Sequence, residues 1–267
     1  MNRQAANFIG AVPGNYDKHL GPRIFQGYAE DLARRIARTR PAKALELAAG
    51  TGILSRCLRN VLPDSCELLA TDLNQPMLEV AGKKFTDGDR VRFELADATR
   101  LPMEDNSFDA VACQFGVMFF PDREKSYAEV ARVLVPGGHY VFNVWGSLQG
   151  NPFANIANRT VEELFPENPP GFYQVPFSYH DAESIETSLR NAGFTETRSE
   201  LLQITTTAEP HEDFARGLVF GNPLEEEILD RGADPQAVHA AITRALKRDL
   251  PEPMPLQALV IEARLGG

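Results

Sequence analysis

Two glycines, Gly50 and Gly52, stand between an apolar stretch, Ala44-Leu45-Glu46-Leu47-Ala48, and residues at helical spacing, Ile53, Leu54 and Leu58. Glycine at such a turn lets the backbone take positive φ and approach a ligand closely, and the helix that follows presents N–H groups without partners. That is the arrangement of a cofactor turn. Asp72 lies 20 residues beyond Gly52, at the end of the next apolar run, where a carboxylate can accept both hydroxyls of a ribose. Asp97, in Ala96-Asp97-Ala98, ends the run after that and is placed to accept from an exocyclic amine such as that of adenine. Three such features at three consecutive strand ends point to a nucleoside cofactor. A dinucleotide site prefers G-x-G-x-x-G and needs no acid near its pyrophosphate. Here the third position is Ser55, and Glu46 precedes Gly50 by four residues, which suits a cofactor bearing an ammonium group.

The elements that must hold these residues follow from periodicity. Short apolar runs at 44–48, 67–71, 91–95, 110–114 and 139–144 read as strands alternating with helices, the pattern of a parallel sheet with crossover connections. Ile53 to Leu62 form a helix closed by Pro63, and Asn74 to Met77 open the next, with Pro76 in its first turn. Asp122 is placed to cap a helix carrying Tyr127, Val130 and Leu134, after which Pro136, Gly137 and Gly138 predict a tight turn. Upstream, Phe25, Ala29, Leu32 and Ile36 make an amphipathic helix ended by Pro41. Downstream, Asp181 caps a helix stopped by Gly193, and 197–205 and 256–263 are the last strands. Two segments, 147–179 and 208–255, interrupt this scheme at strand carboxyl ends, where open α/β sheets bind ligands, and are expected to cap the pocket. The expected division is 1–41 as N-terminal lid and helix, 42–146 as cofactor-binding core, 147–179 as cap insertion, 180–207 as core continued, 208–255 as helical cap insertion and 256–267 as final core strand.

Composition excludes several classes. The chain has 267 residues and a formal net charge of −10, which argues against wrapping a polyanion, and its apolar runs are far too short to span a bilayer. Three cysteines without a C-x-x-C pair, and five histidines without ligand spacing, support neither a disulfide framework nor a metal site. Met1 to Gly10 lack the layout of a secretory signal, so a cytoplasmic location is expected. The basic run Arg34, Arg35, Arg38, Arg40 and Lys43 reads as a solvated helix face.

Taken together, these residues resemble the class I S-adenosylmethionine-dependent methyltransferases of the methyltransferase-domain 11 and 25 type. Glu46, Gly50 and Gly52 match the family's E-x-x-x-G-x-G, Asp72 its ribose-binding acid, and Asp97 with Ala98 the pair at the adenine edge. Leu101-Pro102-Met103 with Asn106-Ser107-Phe108-Asp109, and Arg132 to Gly138, match two further family segments. The resemblance implies a Rossmann-like seven-stranded sheet, mostly parallel with one antiparallel strand, flanked by helices and carrying a mainly helical cap. It implies S-adenosylmethionine as cofactor, with S-adenosylhomocysteine as product. Its cofactor-binding set would be Tyr16 as lid residue, Glu46, Ala48, Gly50, Thr51, Gly52, Asp72, Leu73, Met77, Asp97, Ala98, Gln114 and Phe115. Ala49, Gln114, Gly116 and Met118 depart from many relatives.

The implied reaction is in-line attack of a substrate atom on the sulfonium methyl, with the protein supplying position and dryness. Phe119, Phe120, Phe153, Phe172, Tyr173, Phe177, Phe214 and Phe220 cluster near the expected cap and suggest a small apolar or aromatic acceptor, not a nucleic acid or a membrane. No residue is singled out as catalytic; His19, Tyr28, His180 and His211 are the candidate bases. A catalytically silent S-adenosylmethionine sensor and a dinucleotide-dependent oxidoreductase are the alternatives. Oligomeric state is not encoded in any motif.

Overall fold

The computed structural model describes residues 8 and 10–267. Alternating apolar runs become seven strands: β1 (Lys43–Leu47), β2 (Glu67–Asp72), β3 (Val91–Leu95), β4 (Phe108–Gln114), β5 (Leu134–Trp145), β6 (Phe194–Thr206) and β7 (Met254–Leu265). They form one sheet in the order β3-β2-β1-β4-β5-β7-β6. The first five pair in parallel, and β7 runs antiparallel to both β5 and β6. This is the mostly parallel sheet with one antiparallel strand that the family resemblance implies.

Among the described residues ten α-helices accompany it: α1 (Val12–Asn15), α2 (Gln26–Arg38), α3 (Ile53–Val61), α4 (Gln75–Gly82), α5 (Arg123–Val133), α6 (Pro152–Leu164), α7 (Ala182–Asn191), α8 (His211–Phe220), α9 (Leu224–Leu229) and α10 (Pro235–Asp249). On one face, Leu32 and Ile36 of α2 and Leu54 and Leu58 of α3 bury against Ala44, Leu68, Ala110 and Val141 of the sheet. On the other, Tyr127 and Val130 of α5 and Ile185 and Leu189 of α7 join Tyr140 and Phe142 in the larger core. Both layers are held by removing apolar surface from water. At the amino edge of the sheet, the Asp109 carboxylate accepts from the Ala42 and Lys43 N–H groups at 2.9 and 2.8 Å and sets the entry to β1.

Several local expectations change. Pro136 to Gly138 do not end one element and begin another; they lie inside β5, where pairing with β4 jumps from Phe108↔Leu134 to Ala110↔His139. The extra residues are absorbed as a bulge, with Gly137 at φ 79°. Asp122 caps α5 by accepting from the Lys125 N–H at 3.0 Å, whereas the Asp181 side chain makes no capping bond and only its carbonyl receives the Ile185 N–H. Ahead of α2, residues Tyr16–Phe25 form wide i→i+5 turns around Pro22. Proline lacks the N–H that an α-helical ladder needs, and such widened turns recur at functional sites. The basic run is not uniformly solvated: Arg35 is 8% exposed. It binds Asp31, Glu200 and Glu262 at 2.6, 3.0 and 2.5 Å, joining α2 to β6 and β7.

Segments 147–179 and 208–255 supply α6 and α8–α10, and α10 packs against both α6 and α8. The wide-turn segment packs against α8. The expectation for Met1 to Gly10, and the start of the 1–41 unit, fall largely outside the described residues.

Candidate functional site

The order of the strands reverses between β1 and β4, so their carboxyl ends part and leave a crevice where open α/β sheets bind ligands. From β1 the chain passes through Ala48, Gly50 and Gly52, all with positive φ (51, 55 and 78°), before α3 begins. At Gly52 a side chain is excluded by space as well as by conformation, because a Cβ there would lie 2.9 Å from that of Ala81 on α4. Thr51 is buried, and its hydroxyl has no partner among the described residues. Met77 packs over this turn, its terminal methyl 3.6 Å from the position of a Cβ on Gly50.

The Asp72 carboxylate ends β2 against the same turn. Its Oδ2 accepts from the Gly50 N–H at 2.8 Å, and its Oδ1 accepts from the Asn74 N–H at 2.8 Å and from the Asn74 side-chain amide at 3.3 Å. Burial raises its pKa while these donors oppose the rise. Beside it, Leu73 and Leu95, at the ends of β2 and β3, are 63% and 53% exposed, enough to offer an apolar face to a ring. Asp97 follows β3 and is exposed; its Oδ1 accepts from the Thr99 N–H and hydroxyl at 2.8 and 2.7 Å, which fixes the loop toward Leu101. Ala98 is half-buried next to it. Glu46 sits deeper than a strand-end acid. It is 1% exposed, accepts from the Ser55 hydroxyl at 2.6 Å, and burial pushes its pKa up to about 8.

On the β4 side, the Gln114 amide donates to the Phe25 carbonyl at 2.8 Å and ties the strand end to the wide-turn segment. Phe115 takes φ 49°, a strained conformation for an aromatic residue. Gly116 is forced by contact: a Cβ there would lie 2.5 Å from the Ala48 Cβ and 2.7 Å from the Cys113 sulfur. The β1 and β4 loops therefore meet through one methyl group and one missing methyl. Gly116→Ala is expected to cost about 2 kcal/mol, the usual price of overpacking. Adding Ala48→Gly, which removes the opposing methyl and relieves its left-handed strain, should recover about half of that loss in urea unfolding. Equal stability of the Gly116→Ala single and double variants would show that the contact is not what selects glycine.

Beyond Phe115 lies a partly open cavity of about 70 Å³ between the strand ends and the cap. It is lined by Phe8, Tyr16, Leu20, Ile24, Phe25, Phe115, Met118, Phe119, Trp145, Phe153, Phe172, Tyr173, Pro176, Phe177, Leu218 and Asn222. The Phe115 and Trp145 rings stack at 4.0 Å and 14°, and Phe177 stacks on the other side of Trp145 at 5.7 Å. Among the described residues no charged side chain lines it. Tyr173 donates to the Leu218 carbonyl at 3.0 Å, and the Asn222 amide is satisfied by Leu218 and Leu224. Tyr16 belongs to both halves of the site. It stacks on Phe25 at 4.8 Å, and burial, with the Asp72 and Asp17 carboxylates nearby, raises its pKa.

Five of the sequence-derived aromatics, Phe119, Phe153, Phe172, Tyr173 and Phe177, line the cavity; Phe120, Phe214 and Phe220 do not. Residue-type clustering missed Phe25 and Trp145, whose strand-end and helix-start positions would have identified them. The candidate bases lie elsewhere. His19 is a buried member of the wide-turn segment, 3.9 Å from Asp213, the Tyr28 hydroxyl donates to the Leu202 carbonyl, His180 is exposed, and His211 sits between Glu209 and Glu252. No group of three or more His, Cys, Asp and Glu among the described residues could hold a metal. No helix among them is long and apolar enough to cross a membrane.

A glycine turn, a strand-end acid and a doubly wound sheet define a nucleoside-cofactor enzyme of the Rossmann-like class. A family model described as a methyltransferase domain matches residues 45–142. Demethylmenaquinone methyltransferase of Clavibacter sepedonicus is 31% identical over 246 residues, covering 89% of this chain and 93% of the relative. The Thermus thermophilus enzyme of the same name is 44% identical over 114 residues, which are 42% of this chain and half of that protein. Among solved structures, Haemonchus contortus phosphoethanolamine N-methyltransferase 2, in complex with phosphomonomethylethanolamine and S-adenosylhomocysteine, superposes with a TM-score of 0.54 at 19% identity, over 84% of this chain and 49% of that one. This chain belongs to the class I S-adenosylmethionine-dependent methyltransferases. It is an enzyme, and its cofactor is S-adenosylmethionine.

Proposed function

We propose that this methyltransferase acts on a flat, uncharged aromatic acceptor of the quinone type, accommodated in the aromatic cavity above β4 and β5. The observation that carries this is the lining: rings on several sides, the Tyr173 and Asn222 polar groups already satisfied by the protein, and no charge among the described residues. A phosphate, carboxylate or ammonium on the acceptor would be stripped of water there with nothing in return. The names of the Clavibacter and Thermus relatives agree with such an acceptor.

When bound, S-adenosylmethionine supplies an electrophilic methyl group on a sulfonium. The protein's part is positional. Gly50, Thr51 and Gly52 would take the cofactor at the turn, where the unpaired Thr51 hydroxyl gains a partner; Asp72 would take the ribose hydroxyls; and Leu73, Met77 and Ala98 with Asp97 would take the base. Ala48, Gln114 and Phe115 would bound the reacting end, Glu46 would balance the ammonium charge from beneath, and Tyr16 would close over both compartments. Residues 42–146, 180–207 and 256–267 act as core, with 1–41, 147–179 and 208–255 as lid and cap. Among the described residues no histidine or carboxylate lines the cavity, which suits an acceptor nucleophilic through its own acidity, as a hydroquinone is. Such an enzyme works on a small molecule in the cytoplasm, with no nucleic acid or membrane as partner.

The test is labelled methyl transfer from S-adenosylmethionine to 1,4-naphthohydroquinone held reduced, compared with phosphoethanolamine. Transfer to the hydroquinone should be faster by about tenfold or more, the factor expected when a charge must be buried unpaired. Preference for the charged acceptor, or transfer to neither, would overturn this reading.

A further inference from the structure

Asn143 is a polar residue near the carboxyl end of β5, paired in register with Gln114 and fully buried. Its Oδ1 accepts from the Phe115 N–H at 3.0 Å, although that N–H already faces the Asn143 main-chain carbonyl at 3.2 Å. The Phe115 donor fixes which end of the amide is which, and Nδ2 is left without a partner. Buried, unpaired amide hydrogens are unfavourable, and a leucine of similar shape would avoid them. Stability alone therefore does not account for asparagine here.

The residue that Asn143 holds does account for it. Phe115 is strained at φ 49°, and such a conformation persists only when its surroundings over-determine it. Its ring forms one wall of the acceptor cavity, stacked on Trp145, while the preceding residue, Gln114, ends β4 at the cofactor crevice. We infer that Asn143 is a positioning residue for methyl transfer: its side-chain carbonyl locks the Phe115 backbone and so sets the plane against which the acceptor ring lies. This rests on the aromatic-acceptor reading given above.

Trp145 is the chain's one tryptophan and touches Phe115, so its fluorescence and near-ultraviolet circular dichroism report the ring's position directly. The experiment compares wild type, Asn143→Leu and Asn143→Asp by melting temperature, S-adenosylhomocysteine affinity, the Trp145 signal, and quenching of Trp145 by 1,4-naphthoquinone. Asn143→Leu should melt no lower than wild type and bind S-adenosylhomocysteine within about twofold, yet change the Trp145 signal and bind naphthoquinone roughly tenfold more weakly, the factor for one lost hydrogen bond. Asn143→Asp keeps the acceptor but buries a carboxyl. It should melt lower and still retain the Trp145 signal and naphthoquinone affinity.

An unchanged Trp145 signal in Asn143→Leu would overturn the inference. So would a parallel loss of melting temperature and of both affinities, which would make the amide purely structural. Wild-type protein that fails to bind naphthoquinone overturns the acceptor reading instead, and the Trp145 signals of the two variants still decide the role of Asn143.

Discussion

Asp72→Ala is expected to weaken S-adenosylhomocysteine binding by about 100-fold or more while leaving a folded protein. The carboxylate is the one buried charge that reaches the cofactor crevice from β2, and it is already oriented by the Gly50 and Asn74 N–H groups at 2.8 Å each. Those donors oppose the rise in its pKa that burial causes, and the long 3.3 Å contact from the Asn74 amide can give way to a stronger donor. A ribose offers two hydroxyls. Two hydrogen bonds to a charged acceptor contribute about 1.5–3 kcal/mol each, so their joint loss amounts to about 3 kcal/mol or more. Alanine also frees the Gly50 and Asn74 N–H groups, which should lower the melting temperature by about 2–6 °C. Asp72→Asn separates the two effects, since it keeps the shape and one acceptor oxygen but loses the charge; its melting temperature should fall less than its affinity. Calorimetric titration with S-adenosylhomocysteine alongside a melting curve decides the matter. Affinity unchanged in both variants would remove Asp72 from the cofactor site and with it the reading of the β1–β4 crevice.

The features legible in the sequence share a physical cause, which is that local chemistry dictates them. Gly50 and Gly52 announce a backbone that needs positive φ, and the alternation of apolar runs with helical spacing announces a buried parallel sheet; both are written in residue types and spacings that agree with the fold at the local level. Asp72 falls at a strand end for the same reason. The parts that stayed hidden depend on partners far along the chain. Nothing near Arg35 distinguishes it from Arg34 or Arg38, since its carboxylates at 200 and 262 arrive only when β6 and β7 pair. Asn143 looks like a lapse in an apolar strand until Phe115 is placed beside it. Asp97 shows the opposite difficulty. Its position fits an adenine-facing acid, yet in the fold its Oδ1 also fastens Thr99, so one residue serves the loop as well as any ligand. Pro136 to Gly138 read as a turn because turns and bulges draw on the same residue types, and only strand pairing separates them.

Arg35→Met should produce a large loss of stability at a site well outside the cofactor crevice. The guanidinium is 8% exposed and meets a carboxylate on each of three elements: Asp31 one turn back on α2, Glu200 on β6 and Glu262 on β7. Methionine keeps the apolar stem but leaves three negative groups facing one another with no cation between them. Breaking a buried ion pair costs about 3–5 kcal/mol; because Glu200 and Glu262 are 40% and 34% exposed and partly screened by water, the cost here falls below that range, to about 2–3 kcal/mol. That corresponds to a melting temperature lower by roughly 4–10 °C. Lysine should recover little, since one ammonium cannot span three carboxylates in a fork. Arg34→Ala is the control: that side chain is 57% exposed and reaches Asp31 only at 3.9 Å, so the change should stay within about 0.5 kcal/mol. The effect should extend to function, because α2 continues directly from the wide-turn segment that carries Tyr16 over the cavity. If Arg35 anchors α2 against β6 and β7, Arg35→Met should raise KM for the acceptor more than it lowers cofactor affinity, whose main contacts come from β1 and β2. Adding Glu200→Gln and Glu262→Gln to Arg35→Met removes the repulsion without restoring the cation, and should return about half of the lost stability but not the acceptor KM. Recovery of both would mean that the charges only repel; recovery of neither would mean that the stem of Arg35, and not its head, holds the helix in place.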